Sequence, residues 1–253
     1  MSAVLENALL QRGLKIEVYP FGISSASASH YLAIMRYVRA RFSPDLYIVN
    51  IVHNDIQDSL AATTGDRAIY FGVRQSGDSF EEVPPKIYQP SLLRRIIGHW
   101  AIARYLYVNL GLMWKLQRQN QPRQFEANID VTKMMGTQEG RQLTKYIFAK
   151  YLDEVENDRK KLVLLMDTVR EPIYEGVHPN TTAAFQYNEV IGETCQELSL
   201  YCLDLTDYFW ADFQRNKRRF NSVIDGHWNK YGHKVVAEAV ERYLLKNALL
   251  SSK

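Results

Sequence analysis

The sequence predicts an α/β protein built on a parallel sheet with helices on both faces. The run from Leu46 to Val52 is continuously apolar, as strands buried on both faces of a parallel sheet are. The run from Leu162 to Met166 has the same character, and amphipathic helix patterns separate the apolar runs along the chain. Strands that alternate with helices in this way indicate a doubly wound sheet.

The first third of the chain contributes two or three of the expected strands. A short helix from Val4 to Leu10 ends at Gly13, and a strand is predicted over Lys15–Tyr19. After a turn rich in small residues, a helix leads into the Leu46–Val52 strand, and its inner face carries Tyr31, Met35, Val38 and Phe42. The run from Ala68 to Val73 predicts one more strand.

An insertion at about residues 74–140 interrupts this alternation within a single domain that spans residues 1–253. Arg74–Gln89 is polar and contains two prolines, which predicts an exposed excursion. Ser91–Lys115 has the period of a long helix, and Gln117–Gly140 is a polar loop.

The last third returns to the alternating pattern. An amphipathic helix runs from Leu143 to Val155, and the strand Leu162–Met166 ends at Asp167. Residues 171–179 are then predicted as a loop, 181–200 as a helix, 201–205 as a short strand and 207–213 as one or two helical turns. A closing helix spans residues 229–244, with Asn229 as its N-cap.

Charge and hydropathy exclude several classes of partner. The net charge of +3 over 253 residues is too small to indicate nucleic acid, and the basic run Arg215–Arg219 is interpreted as a solvated helix end. No run of about eighteen uncharged apolar residues predicts a membrane span. The absence of a signal peptide predicts a cytoplasmic protein, or an extracytoplasmic one if the N-terminus is truncated.

The two cysteines, Cys195 and Cys202, are seven residues apart. Placed around the end of one helix, they would be separated by two turns of rise, which disfavours a direct bridge. We therefore expect two buried, unbridged cysteines.

The stretch from Asp225 to His233 carries the most specific pattern in the chain. Asp225 and His227 are two residues apart in a segment expected to be extended, so their side chains project to the same side. An aspartate in this position can fix the tautomer of an imidazole and leave its other nitrogen free as a general base. The helix that begins at Asn229 would brace the pair.

Two other interpretations of the same residues stay open. His227 can have a structural role, as a capping or packing side chain. Asp225, His227 and His233 can also be three metal ligands, provided that they converge and are supported by neighbouring groups.

Three separated blocks make the sequence similar to the SGNH (GDSL-type) serine hydrolases. Phe21-Gly22-Ile23-Ser24 resembles the family's second block, and the strand leading into Asn54-Asp55 resembles the third. The stretch from Asp225 to His233, Asp-Gly-His-Trp-Asn-Lys-Tyr-Gly-His, resembles the fifth.

This resemblance implies a flavodoxin-like three-layer α/β/α fold and hydrolysis or transfer of ester or O-acyl groups without a cofactor. His227 would be the general base, Asp225 its partner, and Gly22 and Asn54 the donors of the oxyanion hole. Each such donor is worth about 3 kcal/mol to an acyl transfer. The substrate would be a small-molecule, carbohydrate or lipid ester.

The chain departs from the family at the nucleophile. The family's first strand ends in Gly-Asp-Ser, ahead of the glycine block, whereas here only a short helix precedes Lys15. The string Gly77-Asp78-Ser79 comes after the second and third blocks, in a polar segment, and is interpreted as a loop tip. We therefore expect the first strand and its serine to be absent from this chain, which would expose a sheet edge and favour oligomers. The alternative is a non-catalytic domain of the same fold that only binds.

Overall fold

The structure is a computed structural model, and it describes residues 1–52, 54–61, 70–77, 79–87, 92, 100–105, 137–222 and 226–250. Contacts divide the chain into two compact units. One contains Met1–Pro85 and Ile129–Lys253, and the other is Lys86–Asn128. The second unit contributes one described helix, Ala101–Arg104.

Three parallel strands form the sheet of the first unit. In chain order the strands are β1 (Tyr47–Ile51), β2 (Gly72–Ser76), β3 (Ser79–Val83), β4 (Leu162–Met166) and β5 (Tyr201–Asp204). The parallel sheet has the order β1-β4-β5, whereas β2 and β3 form a separate antiparallel pair. All five residues of β4 are buried, as expected for a central strand covered on both faces. The mixed α/β class with a parallel sheet is therefore confirmed.

Helices cover both faces of this sheet. The helices of the first unit are α1 (Ser2–Gln11), α2 (Ala28–Phe42), α3 (Asp55–Ala61), α5 (Gln138–Glu154), α6 (Glu171–Tyr174), α7 (Gln186–Glu197), α8 (Thr206–Asn216) and α9 (Lys230–Lys246), whereas α4 (Ala101–Arg104) is the helix of the second unit. None of the helices in the described ranges has the length and apolar character that a membrane crossing requires.

Alternate side chains of β4 divide the core into two layers. Leu162, Leu164 and Met166 pack with residues of α2, α3, α5 and α7 in one buried cluster. Val163 and Leu165 pack with residues of α1, α8 and α9 in the other. This arrangement follows from the two-residue period of a strand, and it is compatible with a three-layer α/β fold.

The prediction of a strand over Lys15–Tyr19 is wrong. Leu14, Ile16 and Val18 do pack against the core, but residues 14–20 belong to no strand. The backbone N–H of Val18 donates to the carboxylate of Glu6 at 2.7 Å. Alternating burial predicts which side chains face inward, whereas a strand also needs a neighbouring backbone to pair with.

Residues 72–83 form a hairpin, and its residues from Arg74 onwards fall in the segment that was predicted as an exposed excursion. β2 and β3 pair in antiparallel register from Gly72–Val83 to Ser76–Ser79, and Gly77 at the turn has φ +62°. Arg36 of α2 donates to both oxygens of Glu82 at 2.7 and 2.8 Å and so ties the hairpin to α2. Most of the predicted helix Ser91–Lys115 and of the loop Gln117–Gly140 lies outside the described residues.

The expectation of unbridged cysteines is also wrong, because Cys195 and Cys202 form a disulfide with a Cα–Cα distance of 6.3 Å. Cys195 lies in the last turn of α7, but Ser199 takes a left-handed φ of 54° and the chain turns back. Cys202 therefore lies in β5, next to the helix, instead of farther along the helix axis.

Candidate functional site

The carboxyl ends of the three parallel strands lie side by side. The backbone N–H of Asp167, directly after β4, donates to the carbonyl oxygen of Ile51 at 3.1 Å. The backbone N–H of Leu205, directly after β5, donates to the carbonyl oxygen of Met166 at 3.0 Å. The loops after β1, β4 and β5 therefore begin together at one edge, which we call the carboxyl edge. Open parallel sheets bind their ligands at this edge.

Asn188 of α7 joins the loops after β4 and β5. Its Nδ2 donates to the carbonyl oxygen of Asp167 at 3.0 Å and to Oδ2 of Asp204 at 3.1 Å. Three buried side-chain oxygens near this junction, those of Thr168, Asn188 and Thr206, have no hydrogen-bond partner within the described part of the chain. Buried polar atoms of this kind are normally satisfied by ordered water or by a ligand.

Asp167 and Arg170 form a buried ion pair at the end of β4. Their side chains are 8% and 10% exposed, and Nη1 of Arg170 donates to both carboxylate oxygens at 2.6 and 2.7 Å. Burial alone would lower the pKa of Arg170, but the Asp167 carboxylate, together with Tyr174 and Glu171, raises that pKa. Buried charges are tolerated only when hydrogen bonds compensate their desolvation.

The segment Gly226–Asn229 is held against this ion pair on both sides of His227. Nη2 of Arg170 donates to the carbonyl oxygen of Gly226 at 2.6 Å, and the indole Nε1 of Trp228 donates to Oδ1 of Asp167 at 3.2 Å. The carbonyl oxygen of His227 itself accepts from the backbone N–H of Ser222 at 2.8 Å. His227 is exposed, so a fixed backbone presents this residue to solvent.

Asn229 connects the His227 segment to the final helix. Its Oδ1 accepts from the backbone N–H of Gly232 at 2.9 Å, which confirms the predicted N-cap of α9. Its Nδ2 donates to the carbonyl oxygens of Arg219 and Asn221, both at 2.9 Å. One side chain therefore fixes both the start of the helix and the loop that precedes the histidine.

Asn54, the predicted carboxamide donor, lies three residues after the end of β1, in the loop that begins at the carboxyl edge. Its Nδ2 donates to Oδ2 of Asp58 at 2.7 Å. Because a primary amide carries two N–H hydrogens, this bond uses one of them. The neighbouring Asp55 is buried, and its Oδ2 accepts from the hydroxyl of Tyr31 at 3.1 Å and from the backbone N–H of Val52 at 2.9 Å. Burial raises the pKa of Asp55 to about 8.

Gly22, the predicted backbone donor, is exposed. A Cβ added to it would meet no heavy atom within 4 Å, so packing does not require a glycine there. None of the hydrogen bonds that join the loops of the carboxyl edge within the described ranges involves Gly22.

Asp225, the predicted partner of His227, lies outside the described residues, as do its two preceding neighbours and His53. His233, the third member of the possible metal set, lies in the first turn of α9. Its ring packs edge-on against Trp228 with centroids 5.6 Å apart, and burial lowers the pKa of His233. No group of three possible ligand residues for a metal occurs among the residues with described positions.

The serines of the Gly77-Asp78-Ser79 string and of the segment after Gly22 lie in other surroundings. The hydroxyl of Ser79 donates to the carbonyl oxygen of Ser76 at 3.0 Å in the exposed hairpin turn. Ser27 and Ser29 are buried, and the hydroxyl of Ser29 donates to the carbonyl oxygen of Phe71 at 2.7 Å. Ser24 and Ser25 are exposed beside Gly22.

Comparison with protein-family models, with curated proteins and with solved structures finds no match to this chain. The site is therefore characterised by its own geometry.

Sequence reasoning missed Arg170 and saw Asp167 only as the end of a strand. A signal was present, because a strand of five apolar residues is followed at once by Asp-Thr-Val-Arg. An acid and a base three residues apart directly after a buried strand can pair only at the carboxyl edge. The partners at Gly226 and Trp228 lie more than fifty residues farther along the chain, and the local pattern does not predict them.

Proposed function

We propose that this chain is the body of an SGNH-type ester or O-acyl hydrolase or transferase. His227 would act as general base, Asp225 would orient its imidazole, and Asn54 and Gly22 would donate to the oxyanion. The observation that carries the proposal is the placement of the His227 segment. Anchors at Gly226, His227 and Trp228 hold it at the carboxyl edge, where the Asn54 loop also begins.

The chemistry fits the groups at this edge. A neutral imidazole can take the proton of an attacking hydroxyl, and such general-base catalysis contributes about 100-fold to 10,000-fold in rate. The second N–H of Asn54 would stabilise the negative oxygen of the tetrahedral intermediate.

The nucleophile would lie on an additional strand paired with the free edge of β1. The bond from Asp167 to the carbonyl oxygen of Ile51 fixes which peptide groups of β1 face β4, so those of Ile48 and Asn50 face away. These outward groups have no hydrogen-bond partner in the described parts of the chain, and the side-chain oxygens of Tyr47 and Asn50 are buried without one. A strand placed here would satisfy the peptide groups and end at the carboxyl edge.

The same unpaired edge supports the second candidate, a non-catalytic binding domain of the same architecture. None of the serines discussed above joins the hydrogen bonds of the carboxyl edge within the described ranges, so this chain could bind an ester or carbohydrate without cleaving it. The two candidates differ in whether a serine-directed reagent forms an adduct.

The deciding experiment measures hydrolysis of short and long p-nitrophenyl esters together with labelling by a fluorophosphonate. It uses the chain as given and the chain extended by any in-frame upstream codons. We expect His227→Ala to lower kcat at least about 100-fold. His178→Ala is the matched control for the loss of a histidine, because His178 pairs with Asp207 at 3.2 Å and takes no part in the hydrogen bonds described for the His227 segment. Equal rates for His227→Ala and the parent would refute the hydrolase assignment, and binding without labelling would favour the second candidate.

A further inference from the structure

The Asp167–Arg170 pair has more hydrogen bonds to the His227 segment than a pair that only stabilises its own loop would need. Arg170 donates from Nη1 to Asp167, from Nη2 to the carbonyl oxygen of Gly226 and from Nε to Oδ1 of Asn221 at 2.7 Å. Asp167 in turn accepts from Trp228. The guanidinium and the carboxylate therefore each have a bond of their own to a residue next to His227.

Asn221, which accepts from Arg170, connects this arrangement to further residues. Oδ1 of Asn221 also accepts from the hydroxyl of Tyr174 at 2.8 Å, and its Nδ2 donates to Glu171 at 3.1 Å. Asn221 forms an isolated antiparallel bridge with Trp228. The segment that carries His227 is thus bound to α6, to the end of β4 and to residues 219–222 at once.

We infer that Arg170 and Asp167 are a positioning pair that sets the place and orientation of His227 at the carboxyl edge. The role of His227 rests on the proposed function, whereas the mechanical coupling of the pair to the segment does not. Neither member of the pair would touch the substrate. Their effect passes through the backbone on either side of the imidazole.

The planar fork of arginine is essential to this assignment. It presents N–H groups in three directions in one plane, so one buried side chain can reach a carboxylate, a backbone carbonyl and a side-chain amide together. Lysine keeps the charge and can keep the ion pair, but its single ammonium cannot span the three acceptors. Arg170→Lys therefore removes the three-way hydrogen bonding of the guanidinium while it keeps the positive charge.

The test compares hydrogen exchange in the parent and in Arg170→Lys by NMR. The signals are the indole N–H of Trp228, the backbone amides of residues 226–229, and the amides of β4 as an internal reference. We expect exchange at Trp228 and in 226–229 to accelerate at least about tenfold more than exchange in β4. Arg141→Lys, at the exposed pair with Glu193, is the matched control and should leave both regions unchanged.

A second variant distinguishes a local loosening of the His227 segment from general misfolding. Trp228→Phe removes the indole donor to Asp167 and keeps a smaller aromatic ring beside Phe209 and His233. It should accelerate exchange at residues 226–229 in the same local way. Equal exchange in the parent and the variants, or equal acceleration in β4 and the segment for both variants, would overturn the inference.

Kinetics then test the link to catalysis in an active preparation. We expect Arg170→Lys to lower kcat about 10-fold to 100-fold with little change in KM, as small misplacements of a catalytic group do. In a His227→Ala background the same substitution should cause no further loss. A loss of equal size in both backgrounds would show that Arg170 does not act through His227. An inactive parent would refute the proposed function, while the exchange results would still decide the positioning role.

Discussion

Asp55 provides the sharpest prediction about stability. Its carboxyl is 2% exposed, and burial raises its pKa to about 8 from an ordinary value of 3.8. Because the folded-state pKa is the higher one, the folded protein binds this proton more tightly than the unfolded chain does. The stability that Asp55 contributes is therefore complete below pH 3.8 and is lost progressively as the pH rises to about 8.

The size of the effect follows from the two pKa values. Each pH unit between them changes the free energy of unfolding by about 1.4 kcal/mol, so about three units from the ordinary value to neutral pH amount to about 4 kcal/mol. Asparagine can accept the same bonds from Tyr31 and Val52 but does not titrate. Relative to the parent, Asp55→Asn should therefore gain about 4 kcal/mol in stability between about pH 4 and about pH 7.

The assay is urea denaturation of both proteins across that pH range, followed by circular dichroism. The quantity of interest is the difference between their unfolding free energies, since the other titrating groups contribute equally to both. Asp153→Asn, at a side chain that is 58% exposed, is the control for the loss of an aspartate. A difference that stays constant from about pH 4 to about pH 8 would refute the claim that burial keeps the Asp55 carboxyl neutral.

Three further predictions concern the fold around the site. Replacing Cys195 and Cys202 together by serine should lower the free energy of unfolding by about 2 kcal/mol in urea denaturation, because the bridge restricts the unfolded chain; an unchanged midpoint would contradict this. Gly232→Ala should lower it by about 1–3 kcal/mol, since the new Cβ would stand 2.7 Å from a backbone carbonyl oxygen. Gly192→Ala, whose Cβ would have an ordinary 4.0 Å contact, is the control, and thermal unfolding should separate the two. Asn229→Ala should cost about 1–2 kcal/mol through loss of the helix cap, and Asn229→Ser, which keeps a cap oxygen and places no carboxylate against the carbonyl oxygens of Arg219 and Asn221, should cost less.

The sequence by itself determined the class of fold and the position of its central strand. The apolar run Leu162–Met166 predicted β4 with the observed bounds, and the helix after Asn229 began where its cap indicated. Both signals are local, because burial on two faces and the capping of a helix depend on residues that are close in sequence.

Only the tertiary structure decided which of these elements pair and which side chains meet. Lys15–Tyr19 has the alternation of a strand but pairs with no strand in the part of the chain that the structure describes, because pairing depends on a neighbouring backbone and not on the segment itself. Cys195 and Cys202 meet because the chain reverses at Ser199. The bonds from the Arg170 and Asp167 pair to the His227 segment join residues that are distant in sequence, so they follow from packing and not from any local pattern.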